Sequence, residues 1–286
     1  MASTWQRGGV RDMKLLTGTT RLAGVTGWPV SHSRSPRLHN TWLNRHGIDG
    51  AYVPLPIRPE DFMTTLPALA KAGFAGVNVT IPHKEAAFAA CDHLDDTARQ
   101  AGAVNTLIFT PRGIEGRNTD GYGFLANLRR HGVDPLAGPV LILGAGGAAR
   151  GIGAALLEAG AEITFTNRTP ERAVALAAAL PPARVLEWDK REDALAAYAL
   201  LINTTSLGMV HQPPLEMKLD RAAPGLAIAD IIFAPLETPL LAAARSAGLK
   251  PVEGLGMLLH QAVPGFAAWF GVTPEVDDEL YQIVAA

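Results

Sequence analysis

The sequence has a single cysteine, Cys91, among 286 residues. One cysteine can form neither an intrachain disulfide nor a cysteine-based metal cage, so we expect a reducing compartment, most simply the cytoplasm. No apolar run reaches the roughly 18 to 20 residues of a membrane span. The 25 Lys and Arg residues face 27 Asp and Glu, which leaves no basic surplus for nucleic acid. We therefore expect no nucleic-acid and no membrane partner.

Patterns typical of a metal site or a secretory signal are also lacking. None of the eight histidines forms a His-Glu-x-x-His pattern, and His93 with its neighbouring aspartates is typical of a polar helix face, so no metal is expected. The opening residues MASTWQRGGVRD have no apolar core. We interpret them as an extension, with Met13 as an alternative start.

Apolar runs alternate with helix-favouring stretches along the chain, which predicts parallel sheets covered by helices. Predicted strands begin at Arg21, Ala51, Gly73, Ala103, Val140, Glu162, Ala199 and Gly225. Predicted helices cover residues 36–46, 61–72, 83–90, 148–159 and 171–180, and others begin near Asp120 and at Thr238-Pro239. The segment from about Gly254 to Ala286 is predicted to be helical, with a further start at Thr273-Pro274. Because it precedes no strand, we expect it to pack across the first domain.

A glycine-rich hexapeptide, residues 144–149 (GAGGAA), lies directly between a predicted strand and a predicted helix. Glycines in this position let a dinucleotide pyrophosphate approach the backbone and the helix N-terminus. Ala149 stands at the third glycine position, which the pattern tolerates. The alternative is a simple tight turn, but the strand–turn–helix context favours a dinucleotide loop of a Rossmann-type domain.

The next predicted strand ends in Asn167-Arg168-Thr169, without a carboxylate. NAD enzymes usually place Asp or Glu here, about 20 residues beyond the loop, to bind the ribose 2′-hydroxyl. Arg168 can instead pair with a 2′-phosphate, and Asn167 and Thr169 can add neutral hydrogen bonds. The sequence therefore favours NADP(H). The alternative for Arg168 is a solvated loop arginine.

Hydroxyl and amide side chains recur in four short segments of the first half, residues 33–36, 78–84, 104–106 and 116–120. Each segment alone has a structural explanation, such as a helix cap or a strand end. Together they suit a small polyol. Lys84 and Asp120 suit proton transfer, because a hydride added to a ketone leaves an alkoxide-like oxygen that needs a proton. Which of the two carries that proton is left open.

Eight segments occur in the order found in shikimate dehydrogenases: GWPVSHSRSP, NVTIPHKE, AGAVNTL, GRNTDGYG, GAGGAAR, NRT, NTTSLGM and GLGMLLHQA. The chain resembles this family from Arg21 to about Phe270. The resemblance implies a two-domain α/β protein. An N-terminal α/β substrate domain, residues 1–119, is completed by C-terminal helices, residues 255–286, that return to it. Residues 120–254 would form a Rossmann-type NADP-binding domain. The implied reaction is the reversible, NADPH-dependent reduction of 3-dehydroshikimate to shikimate, in aromatic amino-acid biosynthesis, by a monomer or a homodimer.

The resemblance also implies roles for individual residues. Lys84 would be the catalytic lysine and Asp120 its partner. The residues that bind the hydroxyls and carboxylate of the substrate would be Ser33, Ser35, Thr80, Asn105 and Gln261. The residues that hold NADP(H) would be Gly144, Ala145, Gly146, Gly147 and Ala148 at the pyrophosphate, Asn167, Arg168 and Thr169 at the ribose phosphate, and Ile231, Gly254 and Asp96 near the nicotinamide.

Phe233 departs from the family pattern, which commonly has a substrate-contacting tyrosine at this position. The missing hydroxyl removes one hydrogen bond, worth about 1 kcal/mol. Related enzymes also oxidise quinate, so a broader substrate range is an alternative, although serine at both Ser33 and Ser35 is typical of the shikimate type. Two further hypotheses are a non-catalytic nucleotide sensor and a similar dehydrogenase acting on another substrate, such as a folate. The Lys84 and Asp120 pair argues against the sensor, and the hydroxyl cluster argues against the folate enzyme.

Overall fold

The computed structural model describes residues 16–286. The opening extension and Met13 lie outside the described residues. The chain forms two six-stranded sheets, one after the other, and then two final helices. Within residues 16–286, no helix combines the length and apolar character needed to cross a membrane. The predicted two-domain α/β fold is confirmed.

The first sheet has the strand order β2-β1-β3-β5-β6-β4. Its strands are β1 (Arg21–Gly27), β2 (Gly50–Pro56), β3 (Phe74–Val79), β4 (His93–Leu94), β5 (Thr106–Thr110) and β6 (Gly113–Arg117). Its helices are α1 (Ser35–Arg45), α2 (Phe62–Lys71), α3 (Lys84–Ala90) and α4 (Asp96–Ala101), with a 3₁₀ turn at Pro59–Asp61.

This sheet is mixed, so the prediction of parallel sheets is wrong here. β5 runs antiparallel to both β3 and β6. Thr110 pairs with Gly113 across a two-residue connection, and Gly113 has a φ of 121°. Such a short connection can only make a hairpin, because a parallel crossover needs a dozen residues or more.

The second sheet follows α5 (Asp120–Arg130) and has the strand order β12-β11-β10-β7-β8-β9. Its elements are β7 (Val140–Leu143), α6 (Gly147–Glu158), β8 (Ile163–Thr166), α7 (Pro170–Ala179), β9 (Arg184–Val185), β10 (Leu200–Asn203), β11 (Ala227–Asp230), α8 (Pro239–Ser246) and β12 (Lys250–Val252), with 3₁₀ turns at Trp188–Lys190 and Leu195–Ala197. All its strand pairs are parallel. The order reverses between β7 and β10, which is the topological switch point of a Rossmann sheet, where ligands bind.

Two C-terminal helices, α9 (Leu255–Phe270) and α10 (Asp278–Ala285), return to the first sheet, as predicted. Leu259, Phe266 and Trp269 of α9 share a buried core with Ala23 and Tyr52. The predicted helix start at Thr273-Pro274 is wrong. α10 begins after Asp277, whose carboxylate accepts a hydrogen bond from the Leu280 N–H at 2.7 Å and so caps the helix.

Alternate residues of the central strands pack on opposite faces of each sheet. In β7, Val140 and Ile142 belong to one buried cluster, and Leu141 and Leu143 belong to another. Burial on both faces is typical of a parallel sheet covered by helices. Because both faces of the sheet are buried, functional side chains are expected at the ends of the strands and in the loops that follow them.

The segment around His93 is not the polar helix face that we expected. His93 and Leu94 pair with β6 as strand β4, and the Asp95 carboxylate caps α4 by accepting from the Ala98 N–H at 2.8 Å. Among residues 16–286, no group of three or more His, Cys, Asp or Glu side chains is arranged to hold a metal ion.

Candidate active site

Lys84 and Asp120 are each the first residue of a helix, α3 and α5 respectively. The ammonium of Lys84 donates a hydrogen bond to Oδ2 of Asp120, and the two groups form an ion pair. The Lys84 side chain is 16% exposed and the Asp120 side chain is 6% exposed. The fold therefore brings an ammonium and a carboxylate together in a place that is largely shielded from water but still reachable.

The second carboxylate oxygen of Asp120 is also occupied. Its Oδ1 accepts a hydrogen bond from Nδ2 of Asn105 at 2.8 Å. The Asn105 amide is itself held, because its Oδ1 accepts from the Thr119 N–H at 2.9 Å. Asp120 is thus fixed in orientation by Asn105 on one side and Lys84 on the other.

Gln261 reaches this cluster from α9. Its Oε1 lies 3.4 Å from Nδ2 of Asn105. The Thr119 hydroxyl donates to the Gln261 backbone carbonyl at 2.8 Å and lies 3.0 Å from Nδ2 of Asn105. Thr119 was not predicted as a site residue, although it lies within the polar segment 116–120, and that membership was the available signal. It joins the first sheet to the returning helix.

The hydroxyls of Ser33, Ser35 and Thr80 lie where the chain leaves β1 and β3. Ser35 is buried and Ser33 is half-buried, and the Ser35 N–H donates to the Ser33 hydroxyl at 3.3 Å. Thr80 is half-buried and follows β3, and its N–H donates to the Thr26 carbonyl at 2.9 Å. These three hydroxyls therefore stand at neighbouring strand ends.

A buried pair, Tyr52 and Asn78, lies behind these hydroxyls, and of the two only Asn78 falls within a predicted polar segment. The Tyr52 hydroxyl donates to Oδ1 of Asn78 at 2.6 Å, and Nδ2 of Asn78 donates to the Asn105 carbonyl at 3.2 Å. Burial raises the pKa of Tyr52 well above its ordinary value, and a hydrogen bond with Ser35 acts in the opposite direction. Tyr52 lies within an apolar strand, so its sequence context carried no sign of a polar partner.

The glycine-rich loop leaves β7 at the switch point of the second sheet. Gly144 has a φ of 111°, and a Cβ there would lie 2.6 Å from the Thr204 hydroxyl oxygen. By contrast, a Cβ on Gly146 would meet no atom within 4 Å. α6 then begins at Gly147 with no side-chain cap and no acidic residue in its first turn. Open space beside uncapped N–H groups fits the pyrophosphate of a dinucleotide.

The loop also contacts the candidate lysine. A Cβ built on Gly147 would lie 3.4 Å from Cδ of Lys84. Ala145 and Ala148 are half-buried in the same turn. The dinucleotide loop of the second sheet thus lies directly against the lysine of the ion pair in the first domain.

The turn after β8 is polar and accessible. Arg168 and Thr169 are exposed, and Nδ2 of Asn167 donates to the Thr169 carbonyl at 2.9 Å. Thr169 precedes α7 without a side-chain cap bond, so its hydroxyl is left for other partners. An exposed cation with neighbouring neutral donors fits a 2′-phosphate.

The residues expected near the nicotinamide separate into two groups. A Cβ on Gly254 would lie 2.5 Å from the carbonyl oxygens of both Ile231 and Ile232, so these segments are in close contact. Phe233 is half-buried against the core that contains α9. Asp96, in contrast, lies on the surface at the first turn of α4, 3.3 Å from Arg99. The side-chain hydrogen bonds and the ion pair of Asp96 within residues 16–286 are with Arg99.

Together these features define a class: a two-domain protein with a dinucleotide loop facing an ammonium–carboxylate pair. Comparisons with known proteins identify the family. Residues 25–107 match the shikimate dehydrogenase substrate binding domain, residues 132–235 match shikimate/quinate 5-dehydrogenase, and residues 254–278 match the shikimate 5′-dehydrogenase C-terminal domain. The chain belongs to the shikimate dehydrogenase family.

Individual relatives agree with this assignment. The chain is 70% identical over 272 residues to the shikimate dehydrogenase (NADP(+)) of Acidiphilium cryptum, covering 95% of this chain and 98% of that one. The structure of shikimate 5-dehydrogenase from Thermus thermophilus in complex with NADP(H) and shikimate is similar, with a TM-score of 0.84 and 36% identity over 93% of this chain and 98% of that one. The quinate dehydrogenase of Corynebacterium glutamicum in complex with NAD has a TM-score of 0.84 and 28% identity, covering 93% and 97%.

Proposed function

We propose that this chain catalyses the reversible, NADPH-dependent reduction of 3-dehydroshikimate to shikimate, a step of aromatic amino-acid biosynthesis. It is an NADP-dependent oxidoreductase of the shikimate dehydrogenase family. One observation carries the proposal: Lys84 is paired with Asp120 while its side chain lies against Gly147 of the dinucleotide loop. That arrangement puts a proton donor beside the place where a dinucleotide fits.

The cofactor would be held by the second domain. NADPH supplies a hydride when it is bound. The N–H groups of residues 144–148 would bind its pyrophosphate, and Asn167, Arg168 and Thr169 would bind its 2′-phosphate. Ile231 and Gly254, which pack closely against each other, would line the nicotinamide side. The contacts of Asp96 lend no support to such a role.

The substrate would be held by the first domain and α9. Its hydroxyls and carboxylate would be bound by Ser33, Ser35, Thr80, Asn105 and Gln261, with Phe233 at the edge of the site. The amides of Asn105 and Gln261 already lie within 3.4 Å of each other. Such a set of neutral donors and acceptors suits a polyol, and its hydroxyl and amide donors can also bind a carboxylate.

Lys84 is the residue that we assign to proton transfer. Both carboxylate oxygens of Asp120 already accept hydrogen bonds, from Lys84 and from Asn105. The ammonium of Lys84 therefore delivers a proton to the developing alkoxide oxygen, and Asp120 holds the ammonium in position. In the reverse direction, the lysine takes the proton back from the hydroxyl of shikimate.

Lys84→Ala should lower kcat with shikimate and NADP⁺ by about 10²- to 10⁴-fold, the usual contribution of general acid–base catalysis. The measurement is the rise in nicotinamide absorbance. Lys71→Ala, which changes an exposed lysine of the same domain, is the matched control and should keep full activity. NADPH binding by Lys84→Ala should persist. A wild-type protein that binds NADPH but oxidises neither shikimate nor quinate would disprove the proposed function.

A broader shikimate/quinate activity is the second candidate, and Phe233 is the observation that favours it. Its ring offers no hydroxyl to the substrate, so one hydrogen bond that would select shikimate is missing. Comparing kcat/KM for quinate and for shikimate, with NADP⁺ and with NAD⁺, separates the two candidates. Near-equal values for the two acids would favour the broader enzyme.

Three further features belong to this proposal. The proposed domain boundaries are residues 1–119 with 255–286, and residues 120–254; the buried clusters of the two sheets support this division, with Met257 of α9 packing in the cluster of the second sheet. The proposed location is the cytoplasm, which the single cysteine supports. The assembly is a monomer or a homodimer, and sedimentation at several concentrations distinguishes these.

A further inference from the structure

Arg34, which stands between Ser33 and Ser35, contacts the end of the last helix. Its Nη1 donates hydrogen bonds to the carbonyl oxygens of Val284 and Ala285, both at 2.7 Å. The last carbonyls of a helix have no partners within the helix, and cations stabilise that end. Arg34 therefore caps α10 from a loop more than 200 residues earlier in the chain.

The rest of α10 is fixed without Arg34. Leu280 and Val284 are fully buried in the core of the first domain. At the other end of the helix, Arg45 pairs with Asp277 at 3.0 Å and with Glu279 at 2.7 Å. α10 is thus held in place by these contacts. Arg34 attaches residues 31–35, called the serine loop here, to the end of this helix.

The hydrogen bonds donated by the backbone N–H groups of Ser33 and Ser35 are local. The Ser33 N–H donates to the Val30 carbonyl at 3.0 Å, and the Ser35 N–H donates to the Ser33 hydroxyl at 3.3 Å. Both bonds lie within residues 30–35 and do not connect the loop to another element. α1 begins at Ser35 without a side-chain cap. Among residues 16–286, the side-chain bonds of Arg34 join this loop to α10, beside the hydrogen bond of Ser35 with Tyr52 of β2.

We propose that Arg34 is a positioning residue that holds Ser33 and Ser35 in place for the substrate by binding the C-terminal carbonyls of α10. The proposal rests on the proposed function, because it assumes that these serines contact the substrate. Arg34 itself does not take part in the chemistry. The expected signature is a weaker apparent affinity for the substrate with the chemical step preserved.

Arg34→Met, which keeps much of the aliphatic length but donates no hydrogen bond, should raise the KM for shikimate about tenfold, the effect of losing hydrogen bonds from a charged donor. Its kcat and its KM for NADP⁺ should change less than about threefold. Arg34→Lys, which can still donate to a carbonyl, should recover part of the loss. Arg37→Met is the matched control, because Arg37 is exposed and makes one 3.3 Å bond to Ile283 of the same helix.

Hydrogen–deuterium exchange on the ligand-free protein gives a readout that does not depend on activity. Residues 31–35 should exchange faster in Arg34→Met than in the wild type, and the melting temperature should fall by no more than a few degrees, because α10 loses one cap. Unchanged exchange, or faster exchange with an unchanged KM for shikimate, would overturn the proposal. A loss of kcat alone would also overturn it, since that indicates a merely structural role. Failure of the proposed function can be told apart from failure of this proposal. In the first case the wild type would not oxidise shikimate, while the difference in exchange would still support the attachment of the loop to α10.

Discussion

At the scale of single residues, Arg168 is the residue on which the choice of cofactor depends. It is exposed after β8, next to Asn167 and Thr169, and the turn has no carboxylate to repel a phosphate. Because the guanidinium is exposed, water and salt weaken its attraction for a phosphate. Its contribution therefore falls at the lower end of the range for charge-assisted hydrogen bonds.

Arg168→Ala should weaken NADPH binding about tenfold, which corresponds to about 1.4 kcal/mol. NADH binding should stay at the wild-type level, because NADH has no 2′-phosphate for Arg168 to contact. Fluorescence titration with each nucleotide measures both constants. Arg245→Ala, an exposed arginine of the same domain, is the control. An unchanged NADPH affinity in Arg168→Ala would refute the role of this residue.

The candidate site was partly predictable, because several of its residues combine a charged or polar side chain with a position at a predicted strand end or helix start. Lys84 and Asp120 are charged residues at predicted helix starts, and the structure pairs them. Thr119 and Tyr52 were missed because their roles depend on partners far along the chain. Asp96 carries the charge expected of a site residue, yet it pairs locally with Arg99 on the surface. Residue type alone does not say which distant segment a side chain meets.

At the scale of elements, the turn between β7 and α6 combines two glycines with different requirements. Gly144 needs its positive φ and has no room for a side chain beside Thr204. Gly146 has a φ of −98°, which any residue adopts, and has open space around it. The backbone conformation therefore explains why residue 144 is a glycine, and the close approach of a ligand explains why residue 146 is one.

Gly146→Ala should lower NADPH affinity about tenfold or more while the melting temperature stays unchanged, because the added methyl occupies the space of the pyrophosphate. Gly144→Ala should lower the free energy of unfolding by about 1–3 kcal/mol, the cost of a strained backbone. Calorimetry and nucleotide titration on both variants test this contrast. If Gly146→Ala lost stability and kept its affinity, the role assigned to the loop would be wrong.

Element prediction succeeded where apolar runs or capping signals were strong. Strand β7 was predicted over its full length, and α6 was displaced by one residue. β4 and β9, each two residues long, are too short to show a pattern. β6, with the sequence GIEGR, has a single large apolar residue. Such strands form because a neighbouring strand offers hydrogen bonds, and that is not visible in the local sequence.

At the scale of the whole molecule, two buried titratable groups affect stability in opposite directions with pH. Burial lowers the pKa of His39, which is stacked on Tyr52 in the first domain, to about 3, and the side chain of Asn78 acts in the opposite direction. Burial raises the pKa of Asp230 in the second domain to about 6, against hydrogen bonds from Thr238, Ile232 and Asn203. The folded protein thus disfavours the charged form of both groups.

The direction of each pH effect on stability depends on whether the folded or the unfolded chain binds the extra proton. Between pH 6.5 and about 3, the unfolded chain binds a proton on His39 that the folded chain does not, so stability falls as the pH falls. Between pH 3.8 and about 6, the folded chain holds a proton on Asp230 that the unfolded chain releases, so this contribution falls as the pH rises. Each slope is at most about 1.4 kcal/mol per pH unit.

Urea unfolding of His39→Phe and Asp230→Asn from pH 4 to pH 7 should separate the two effects. Relative to the wild type, His39→Phe should gain stability as the pH falls, and Asp230→Asn should gain stability as the pH rises. Parallel curves for the wild type and both variants would contradict the predicted burial of these charges.

The chain leaves the first sheet through α5 and returns to it at α9, so the second sheet is an insertion within the first domain. The core around Ala23 and Tyr52 needs Phe266 and Trp269, and the strands of the second sheet are complete at Val252. During synthesis on the ribosome, the first sheet therefore cannot complete its core until α9 has been synthesised. The cofactor-binding half can finish folding first, which reverses the usual order in which domains mature as they emerge.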